Sequence, residues 1–586
     1  MSSQAQALVT EAPSTWSPLG NRVYRSLWTG ALASNVGLWI QSVVGSWDMT
    51  SLGPSPVYVA LLQTAASLPV LLVGLPAAAL GDIVDRRRML LGVGAWMAAV
   101  SLVLAGLSAT GGLGPLGLLG LTFALGLGTA FAAPVWQAVL PRLVDRSQLM
   151  AAITLSGVAI NIARAVGPAV GGLALGLLGS APVYLLNAAM FAVMTVQVAR
   201  WRPAPEPSPL PPERVLGAIV AGLRFARHAP ALRSVLLRTG VFIAGASALW
   251  ALLPVVARRE LGLGPLGFGA LLGCAGAGSL LGAAIMPKLR ARLGVDAMAA
   301  AATVLYAAST LGLAMLRVEA ALWGVLVVAG FAWICLMSSL NVAAASAAPG
   351  WVQSRALGVY LLVFQGGFAG GSLAWGALAT RSSTSTSLTI AAAVLVMGLA
   401  AGIRHRLAAA NKEQVAPWSA YPDPVTRESL DPEAGPVKIE RSYTVAAADR
   451  AAFLVAARDL EEIRRRDGAL DWGLFEEVEA PGRFVEYFSV ASWGEHLRQH
   501  RRAVVADREV EERIRALCAS PRARHLIDAY ALAEHRKRRG PEPASPADAP
   551  HAHAHAHAHS HEREAGEAGE AGEADEPGEP GEPRAH

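Results

Sequence analysis

Charged residues are scarce in this chain: Asp, Glu, Lys and Arg make up 16% of its 586 residues, against about 25% in an average soluble protein. The shortage is uneven, because long apolar runs occupy residues 27–403 and most of the charge follows them. This distribution excludes a uniformly soluble globular protein. It indicates a membrane part joined to a soluble part.

Cysteine and lysine are also rare. The three cysteines have no spacing typical of a metal site or a disulfide framework, so we interpret them as small buried apolar residues. Lys occurs at four positions only, and Arg carries nearly all the positive charge without a basic patch interleaved with aromatics. A nucleic-acid partner is therefore not expected. The polar N-terminus lacks the apolar core of a cleavable signal peptide, so the first apolar run would direct the chain to the membrane.

A helix that crosses a bilayer needs about 20 apolar residues. The chain contains twelve such runs, which we place at 28–49, 57–80, 89–110, 114–136, 152–178, 181–199, 235–257, 266–287, 296–316, 320–342, 356–379 and 385–403. The fold class predicted from them is an all-α polytopic membrane protein with 12 transmembrane helices in two six-helix halves. A small ferredoxin-like α+β domain and a disordered tail are predicted to follow.

Arginine in the short loops predicts the orientation. One side of the predicted bundle collects almost all of it, and this side is cytoplasmic by the positive-inside rule. Both termini then lie in the cytoplasm, as an even number of spans requires. For a bacterial chain the membrane would be the inner one, and the lipid bilayer is the first expected partner.

Composition shifts divide the chain further. The predicted segments are a disordered N-terminus (1–20), an N-terminal half (21–199), a cytoplasmic loop with an amphipathic helix (200–234), a C-terminal half (235–405), a linker (406–435), the α+β domain (436–537) and a disordered His/Glu-rich tail (538–586). Within the α+β domain, alternation and helical spacing predict the order β-α-β-β-α, with a last helical piece over 521–536. That order is typical of a ferredoxin-like unit.

The loop between the second and third predicted spans reads Leu-Gly-Asp-Ile-Val-Asp-Arg-Arg-Arg over residues 80–88. It resembles the signature loop of the major facilitator superfamily, although Ala78, Ile83 and Asp85 depart from that pattern. The resemblance implies a conformational latch formed by Asp82, Arg86 and Arg87, in which the carboxylate pairs with arginine and a helix N-terminus. Ordinary positive-inside charge is the alternative.

The fifth predicted span contains Gly167, Pro168, Gly171 and Gly172, which resemble an element of exporters in that superfamily. Small residues let helices approach closely and proline bends the span. Arg164 lies one turn earlier, and a charge at membrane depth is expected to face the bundle interior. It would contact an anionic substrate or a coupling carboxylate, or form a structural charge pair.

Several separate segments narrow the resemblance. The stretches 34–41, 131–141, 251–257 and 358–371 look like the transmembrane secretion effector branch, and the resemblance covers about residues 20–405. It implies a secondary active transporter that exports a drug-like or siderophore-like small molecule by alternating access, driven by protons. Asp48 is the favoured proton carrier, with a helix-end carboxylate as the alternative. Polar residues predicted to line the substrate and proton pathway with Arg164 are Asn35, Gln41, Gln137, Asn161, Asn341 and Gln365.

The predicted α+β domain looks like the dimeric α+β barrel group that includes antibiotic-biosynthesis monooxygenases. A regulatory or dimerising role is preferred. Trp493, His496 and His500 could line a cleft, but the favoured interpretation places them on a solvated helix face. An enzyme acting on the cargo is the alternative function, although the domain has no nucleophile, metal or cofactor motif and no cofactor is expected.

The tail repeats histidine at every second position. His551, His553, His555 and His557 would chelate metal weakly, because the segment has no preformed geometry. A metal-handling protein is therefore a third hypothesis, and a neutral low-complexity tail is the preferred interpretation.

Overall fold

The structure is a computed structural model that describes residues 16–53, 55–83, 85–202, 215–407, 416, 418 and 430–529. The N-terminal 15 residues, most of the predicted linker and the predicted tail lie outside these ranges, so their predicted disorder is untested. The described chain is mainly helical, with one small sheet near its C-terminal end.

Eleven long helices make up the membrane part of the described residues. They are α1 (Arg22–Leu52), α2 (Pro56–Ile83), α3 (Arg86–Ala109), α4 (Pro115–Val139), α5 (Leu149–Leu178), α6 (Ser180–Arg200), α8 (Pro230–Val255), α9 (Pro265–Met315), α10 (Glu319–Ser346), α11 (Gln353–Arg381) and α12 (Thr384–Arg404). A shorter helix, α7 (Val215–His228), precedes α8. Every predicted span coincides with one of the long helices, or with part of one, to within two residues at either end.

Ten helices within the described ranges are long and apolar enough to cross a membrane. One of the ten, α9, contains two of the predicted spans, because Gly294 has φ 75° and ψ 171° and breaks it into two helical pieces. The helix α1 is not among the ten, because Asn35, Gln41 and Asp48 interrupt its apolar sequence. The structure thus establishes a multi-pass helical bundle, and the count of twelve crossings stays a prediction.

The helix α7 packs against the rest of the chain. A Cβ added to Gly222 would come within 2.9 Å of Arg355 Cβ at the start of α11. The ring of Phe225 meets Trp351, in the α10–α11 loop, edge-on at 5.9 Å. Part of the surface of α7, at Gly222 and Phe225, therefore packs within the protein.

The C-terminal domain contains β1 (Val437–Val445), α13 (Arg450–Asp467), β2 (Asp471–Glu476), β3 (Arg483–Val490), α14 (Trp493–Arg502), α15 (Val505–Leu517) and β4 (Cys518–Ile527). The strands form an antiparallel sheet in the order β2-β3-β1-β4. Alternate residues of β1 and β3, including Tyr443 and Phe484, pack with Phe453 and Leu460 of α13 in an apolar core. The predicted β-α-β-β-α order is present.

Two features of this domain differ from prediction. The piece expected to be helical over 521–536 is instead strand β4 up to Ile527, where it pairs with β1 in the register Val437 to Ile527. Pairing with the sheet edge decides this conformation, because strand formation depends on tertiary context more than on residue preference. The second helix of the predicted β-α-β-β-α order is divided into α14 and α15, because Ala503 and Val504 between them have extended backbone.

The C-terminal domain touches the membrane part at the end of the bundle where α10 meets α11. The guanidinium of Arg502 lies 4.6 Å from the ring centroid of Trp351. Helix α13 packs against α7 beside this contact. The indole of Trp351 therefore lies between Arg502 of the domain and Phe225 of α7.

Candidate functional site

The two halves of the bundle meet through small residues on α5 and α9. Gly172 and Gly269 face each other with their backbones in contact, so that neither position has room for a side chain. A Cβ on Gly276 would come within 2.7 Å of Ala165 Cα. Such contacts are typical of membrane helices that pack closely without large side chains.

The other glycines of the predicted exporter element face α1. A Cβ on Gly167 would lie 2.6 Å from Trp39 Cβ, and one on Gly171 would lie 3.1 Å from Ile40 Cα. Pro168 is buried between them inside α5. The element therefore fits α5 against α1 on one side and against α9 on the other.

Arg164 lies on α5 one turn before this element, with its guanidinium 5.7 Å from the ring centroid of Trp39. Its Nε is buried and has no hydrogen-bond partner among the described residues. Trp39 is 6.4 Å from Trp250 of α8, which is 5.7 Å from Trp333 of α10. A half-buried cation thus begins a row of aromatic rings that crosses from the first half into the second.

Asp48 lies near the end of α1, in a hydrogen-bonded setting. Its carboxylate accepts hydrogen bonds from Ser180 Oγ at 2.6 Å and Tyr184 Oη at 2.8 Å, both on α6. Neither partner is evident from the sequence, because each is a single polar residue beside or within an apolar run. The carboxylate therefore joins α1 to α6 within the first half.

At the same end of the bundle, two arginines join the halves. Arg258, which follows α8, donates to the carbonyl of Trp47 at 3.3 Å and to Thr50 Oγ1 at 3.1 Å. Arg259 donates to the carbonyl of Gly53 at 2.7 Å. These two residues belong to the arginine-poor side of the predicted topology, and we call this end the Arg-poor end. The structure is closed there by contacts between α1 and the end of α8.

The remaining predicted pathway residues do not converge. Gln41 is buried and accepts a hydrogen bond from Asn187 Nδ2 at 3.0 Å, in a network that also includes Ser101. Asn35 donates to the carbonyl of Ala31 in its own helix at 2.7 Å. Gln137 and Asn341 are exposed at the surface of the helices, and Asn161 and Gln365 are half-buried. Asn187 is a network member that the sequence analysis missed.

The predicted latch is only partly described. Arg87 donates to the carbonyls of Val198 at 3.3 Å and Ala199 at 2.6 Å, which joins α3 to α6. Asp82 lies in the last turn of α2 and Arg86 begins α3, but the side chain of Asp82 lies outside the described residues. Asp85, one departure from the family pattern, caps α3 by accepting the Arg88 amide at 2.7 Å.

The second half contains an open cleft of about 400 Å³ between α8, α9, α10 and α12. Its walls are mostly apolar, and Arg238 forms an ion pair with Asp296 at its edge. Neither residue was predicted as a site residue. Asp296 could have been noticed in the sequence, because it is an acid at the first position of the predicted span 296–316.

The C-terminal domain has a buried polar cluster of its own. His496 has 2% of its surface exposed and Trp493 has 5%, so the favoured interpretation of a solvated helix face is wrong for both. Burial, with His500 and His525 nearby, lowers the pKa of His496 to about 3. The imidazole is therefore neutral at physiological pH.

A metal centre receives no support from the described part of the chain, which contains no group of three His, Cys, Asp or Glu residues suited to one. The predicted chelating residues His551, His553, His555 and His557 lie outside the described residues.

Comparison with known proteins gives a consistent picture. The model of the family described as transmembrane secretion effector matches residues 13–533. The multidrug efflux pump Tap of Mycolicibacterium fortuitum is 27% identical over 402 residues, which cover 64% of this chain and 94% of that protein. The staphyloferrin A transporter of Staphylococcus aureus is 26% identical over 159 residues, which cover 27% of this chain and 40% of that protein.

Solved structures show a similar fold. A bacterial homologue of the human lysosomal transporter Spinster, inward-facing and occupied, aligns with a TM-score of 0.55 at 14% identity over 66% of this chain and 97% of that chain. The nucleoside transporter NupG aligns with a TM-score of 0.52 at 13% identity over 66% of this chain and 100% of that chain. At these identities the likeness concerns the fold alone.

Proposed function

The chain belongs to the transmembrane secretion effector family and is a multi-pass transporter of the major facilitator type, and we propose that it exports a drug-like or siderophore-like small molecule by alternating access, driven by protons. The family and the similar proteins are transporters, not enzymes. An enzyme that acts on the cargo is accordingly not favoured.

The observation that carries this proposal is the placement of Arg164 against Trp39, where α1, α5 and α9 meet. A half-buried guanidinium whose buried Nε has no partner among the described residues attracts an anionic or polar group, and the neighbouring indoles provide apolar and cation–π surface. A molecule with a flat apolar part and an anionic group complements both. The names of the similar proteins, a multidrug efflux pump and a siderophore transporter, agree with such cargo.

Alternating access is supported by the contacts at the Arg-poor end. There, Arg258 holds α1, and Gly376 of α11 packs against Ala60 of α2. A bundle closed at one end by contacts between its halves suits a site that opens alternately to either side. We propose that this state faces the arginine-rich side, which would be the cytoplasm of a bacterial inner membrane.

Topology completes the proposal. We propose twelve crossings, with the two pieces of α9 on either side of Gly294 counted as two and α1 as the first. Loop arginines then place both termini in the cytoplasm. Because α1 carries several polar residues, it is not among the ten helices that are apolar enough to be recognised as spans. Polar residues of this kind are usual in a helix that faces a transport pathway.

Proton coupling requires an acid that exchanges protons as the bundle changes state. Asp48 remains the first candidate, and Asp296 is a second, since it lies beside the open cleft in the other half. Both have hydrogen-bond or ion-pair partners in this state. Exchange of protons would accompany the breaking of those contacts.

The test is accumulation of fluorescent dyes and siderophores by inverted membrane vesicles that contain the protein, with and without a proton gradient. We expect gradient-dependent accumulation, lost in Arg164→Ala and partly retained in Arg164→Lys, which keeps the charge. Asp48→Asn and Asp296→Asn identify the coupling acid, because the right substitution abolishes dependence on the gradient. Equal accumulation by wild type and Arg164→Ala would contradict the assigned substrate site.

A further inference from the structure

Helix α14 of the C-terminal domain carries two buried side chains with nitrogen atoms that have no hydrogen-bond partner of good geometry among the described residues. His496 has 2% of its surface exposed and Gln499 has 7%. The three atoms are both ring nitrogens of His496 and Nε2 of Gln499, although the Gln499 side chain lies close enough to His496 to act on the pKa of the imidazole. A buried polar atom left unsatisfied costs about 1–3 kcal/mol, so such a pair needs an explanation.

Both side chains line a cavity inside the domain, under the sheet residue Phe488 and beside Ile463 of α13. The free volume is about 20 Å³, which is roughly the space of one or two water molecules. The cavity as it stands therefore holds no organic molecule.

One lining residue comes from outside the domain. Trp418 belongs to the segment between α12 and the domain, and its side chain forms part of the cavity wall. Its backbone is held in place, because the Trp418 amide donates to the carbonyl of Ala503 at 2.9 Å and the Val505 amide donates to the carbonyl of Ala416 at 3.1 Å. An aromatic ring thus already lies at the site, next to the unsatisfied polar atoms.

We propose that this cavity is a binding site for a small uncharged aromatic molecule that carries a hydroxyl group, and that the indole of Trp418 covers the site when it is empty. Movement of the indole would free space of its own size beside His496 and Gln499. This inference does not depend on the proposed export function.

Hydrogen-bond chemistry selects the hydroxyl group. A neutral imidazole offers one donor and one acceptor, and the Nε2 group of Gln499 is a donor. A hydroxyl group can donate to the acceptor nitrogen of His496 and accept from Gln499 at the same time. A ligand without a hydrogen-bonding group would leave both side chains unsatisfied.

Charge balance selects an uncharged ligand. The charged side chains of the lining include Arg464, whose guanidinium forms ion pairs with Glu511 at 2.9 Å and Glu486 at 3.2 Å. Arg441 lies 3.8 Å from the Glu511 carboxylate. Asp467 and Asp507, which also line the cavity, form ion pairs with Arg466 at 2.8 Å and 2.7 Å. Because the charges around the cavity are paired with one another, a charged ligand would gain little and would lose its hydration.

The site is connected to the membrane part in two ways. Trp418 follows the end of α12 at Arg404 by a short segment, and α14 also carries Arg502, which stacks on Trp351 at 4.6 Å. A ligand that displaces Trp418 would therefore change the segment leading to the last membrane helix.

The test uses the purified full-length protein in detergent micelles and 4-methylphenol as the probe, with binding measured by calorimetry. We expect Trp418→Ala to bind the probe about tenfold more tightly than wild type, since the competing indole is gone. The double variant with Trp418→Ala and Gln499→Leu should bind the probe more weakly than Trp418→Ala alone and lose the tenfold gain in affinity. The loss corresponds to about one hydrogen bond to a buried partner. Toluene, which lacks the hydroxyl group, should bind Trp418→Ala at least about tenfold more weakly than 4-methylphenol.

The matched control is Trp16→Ala, which removes an exposed indole far from the domain in sequence and should bind the probe as wild type does. If Trp418→Ala does not elute as a folded protein, Trp418→Leu replaces it with the same expectation. The proposal is overturned if the probe binds none of the Trp418 variants, because the cavity then holds only water. Equal affinity of Trp418→Ala with and without Gln499→Leu also overturns it, because binding then reflects partition into apolar space.

Discussion

Gly172 of α5 and Gly269 of α9 are in backbone contact, and a methyl group on either residue would overlap the α carbon of the other. The two glycines come from different halves of the bundle. Close contact at this point therefore depends on the absence of two side chains, and in the proposed alternating-access cycle this contact would separate.

Replacement of Gly172 by valine should prevent this closure. The added side chain cannot be accommodated, and overpacking of this kind costs about 1–3 kcal/mol. We expect Gly172→Val to favour the state that is open at the Arg-poor end and to reduce transport at least about tenfold. The measurement is vesicle transport together with thiol labelling of a cysteine introduced at Val57.

Gly157→Ala provides the control, since this glycine lies on the same helix and a Cβ there meets nothing within 4 Å. It should keep wild-type transport and labelling. If Gly172→Val also behaves as wild type, the Gly172–Gly269 contact does not control opening.

Much of the membrane part could be predicted from the sequence, because a span is a local property of about 20 consecutive residues. The runs at 266–287 and 296–316 match the two pieces of α9 on either side of Gly294, the second run extending one residue past the helix end. The glycines of α5 could also be identified as packing residues. Their partners could not, since Trp39, Ile40 and Gly269 are far away in sequence.

The sites were less predictable for the same reason. Nothing local to Asp48 indicates Tyr184, and nothing local to Trp418 indicates a cavity built around α14. The burial of His496 depends on a sheet whose fourth strand was predicted as helix. Local pattern gives the type of an element more reliably than its neighbours, because neighbours are set by long-range packing.

Trp351 should hold the C-terminal domain against α7. Its ring stacks with Arg502 at 4.6 Å and meets Phe225 at 5.9 Å, so Trp351→Ala removes both contacts. We expect hydrogen exchange in Val215–His228 to become about tenfold faster, which corresponds to about 1.4 kcal/mol. Trp323→Ala, an exposed tryptophan of α10, serves as the control and should leave exchange in α7 unchanged. Unchanged exchange in Trp351→Ala would show that other contacts hold the domain.

Glu486 should be essential for the stability of the C-terminal domain. This carboxylate has no exposed surface. It accepts hydrogen bonds from Tyr443 Oη at 2.5 Å, Arg464 Nε at 3.2 Å and Trp472 Nε1 at 3.0 Å. Removal of one partner from a buried ion pair costs about 3–5 kcal/mol. We therefore expect Glu486→Leu to lower the opening free energy of the β1 and β3 amides by that amount, measured by hydrogen exchange on the full-length protein.

The comparison for Glu486 is Asp459→Asn, which breaks an ion pair with Arg513 whose side chains are about half exposed. Exposed pairs contribute little, so the change should stay within about 0.5 kcal/mol. A similar effect of both substitutions would contradict a special role for the buried network.

His496 should make the domain less stable in acid. Burial lowers its pKa from 6.5 to about 3, so between these values the unfolded chain binds a proton that the folded chain does not. The free energy of unfolding of the domain therefore has its full value above pH 6.5. It falls as the pH drops and is lower by about 1.4 kcal/mol at pH 5.5. The pKa of His525 is also lowered by burial, with Arg441 nearby, and adds a loss of the same sign.

The contribution of His496 to this loss of stability is measured with the variant His496→Gln, which keeps a polar side chain that does not titrate. The opening free energy of β3 amides, from hydrogen exchange corrected for intrinsic rates, is compared at pH 7.5 and pH 5.5 in both proteins. The variant should lose about 1.4 kcal/mol less than wild type over this interval. Equal losses would mean that the pKa of His496 is the same in the folded and the unfolded chain, so that burial does not keep the imidazole neutral at pH 5.5. The imidazole would then become a cation at the cavity in acid, and the site would select a neutral hydroxylated ligand only at a pH above the ordinary histidine pKa.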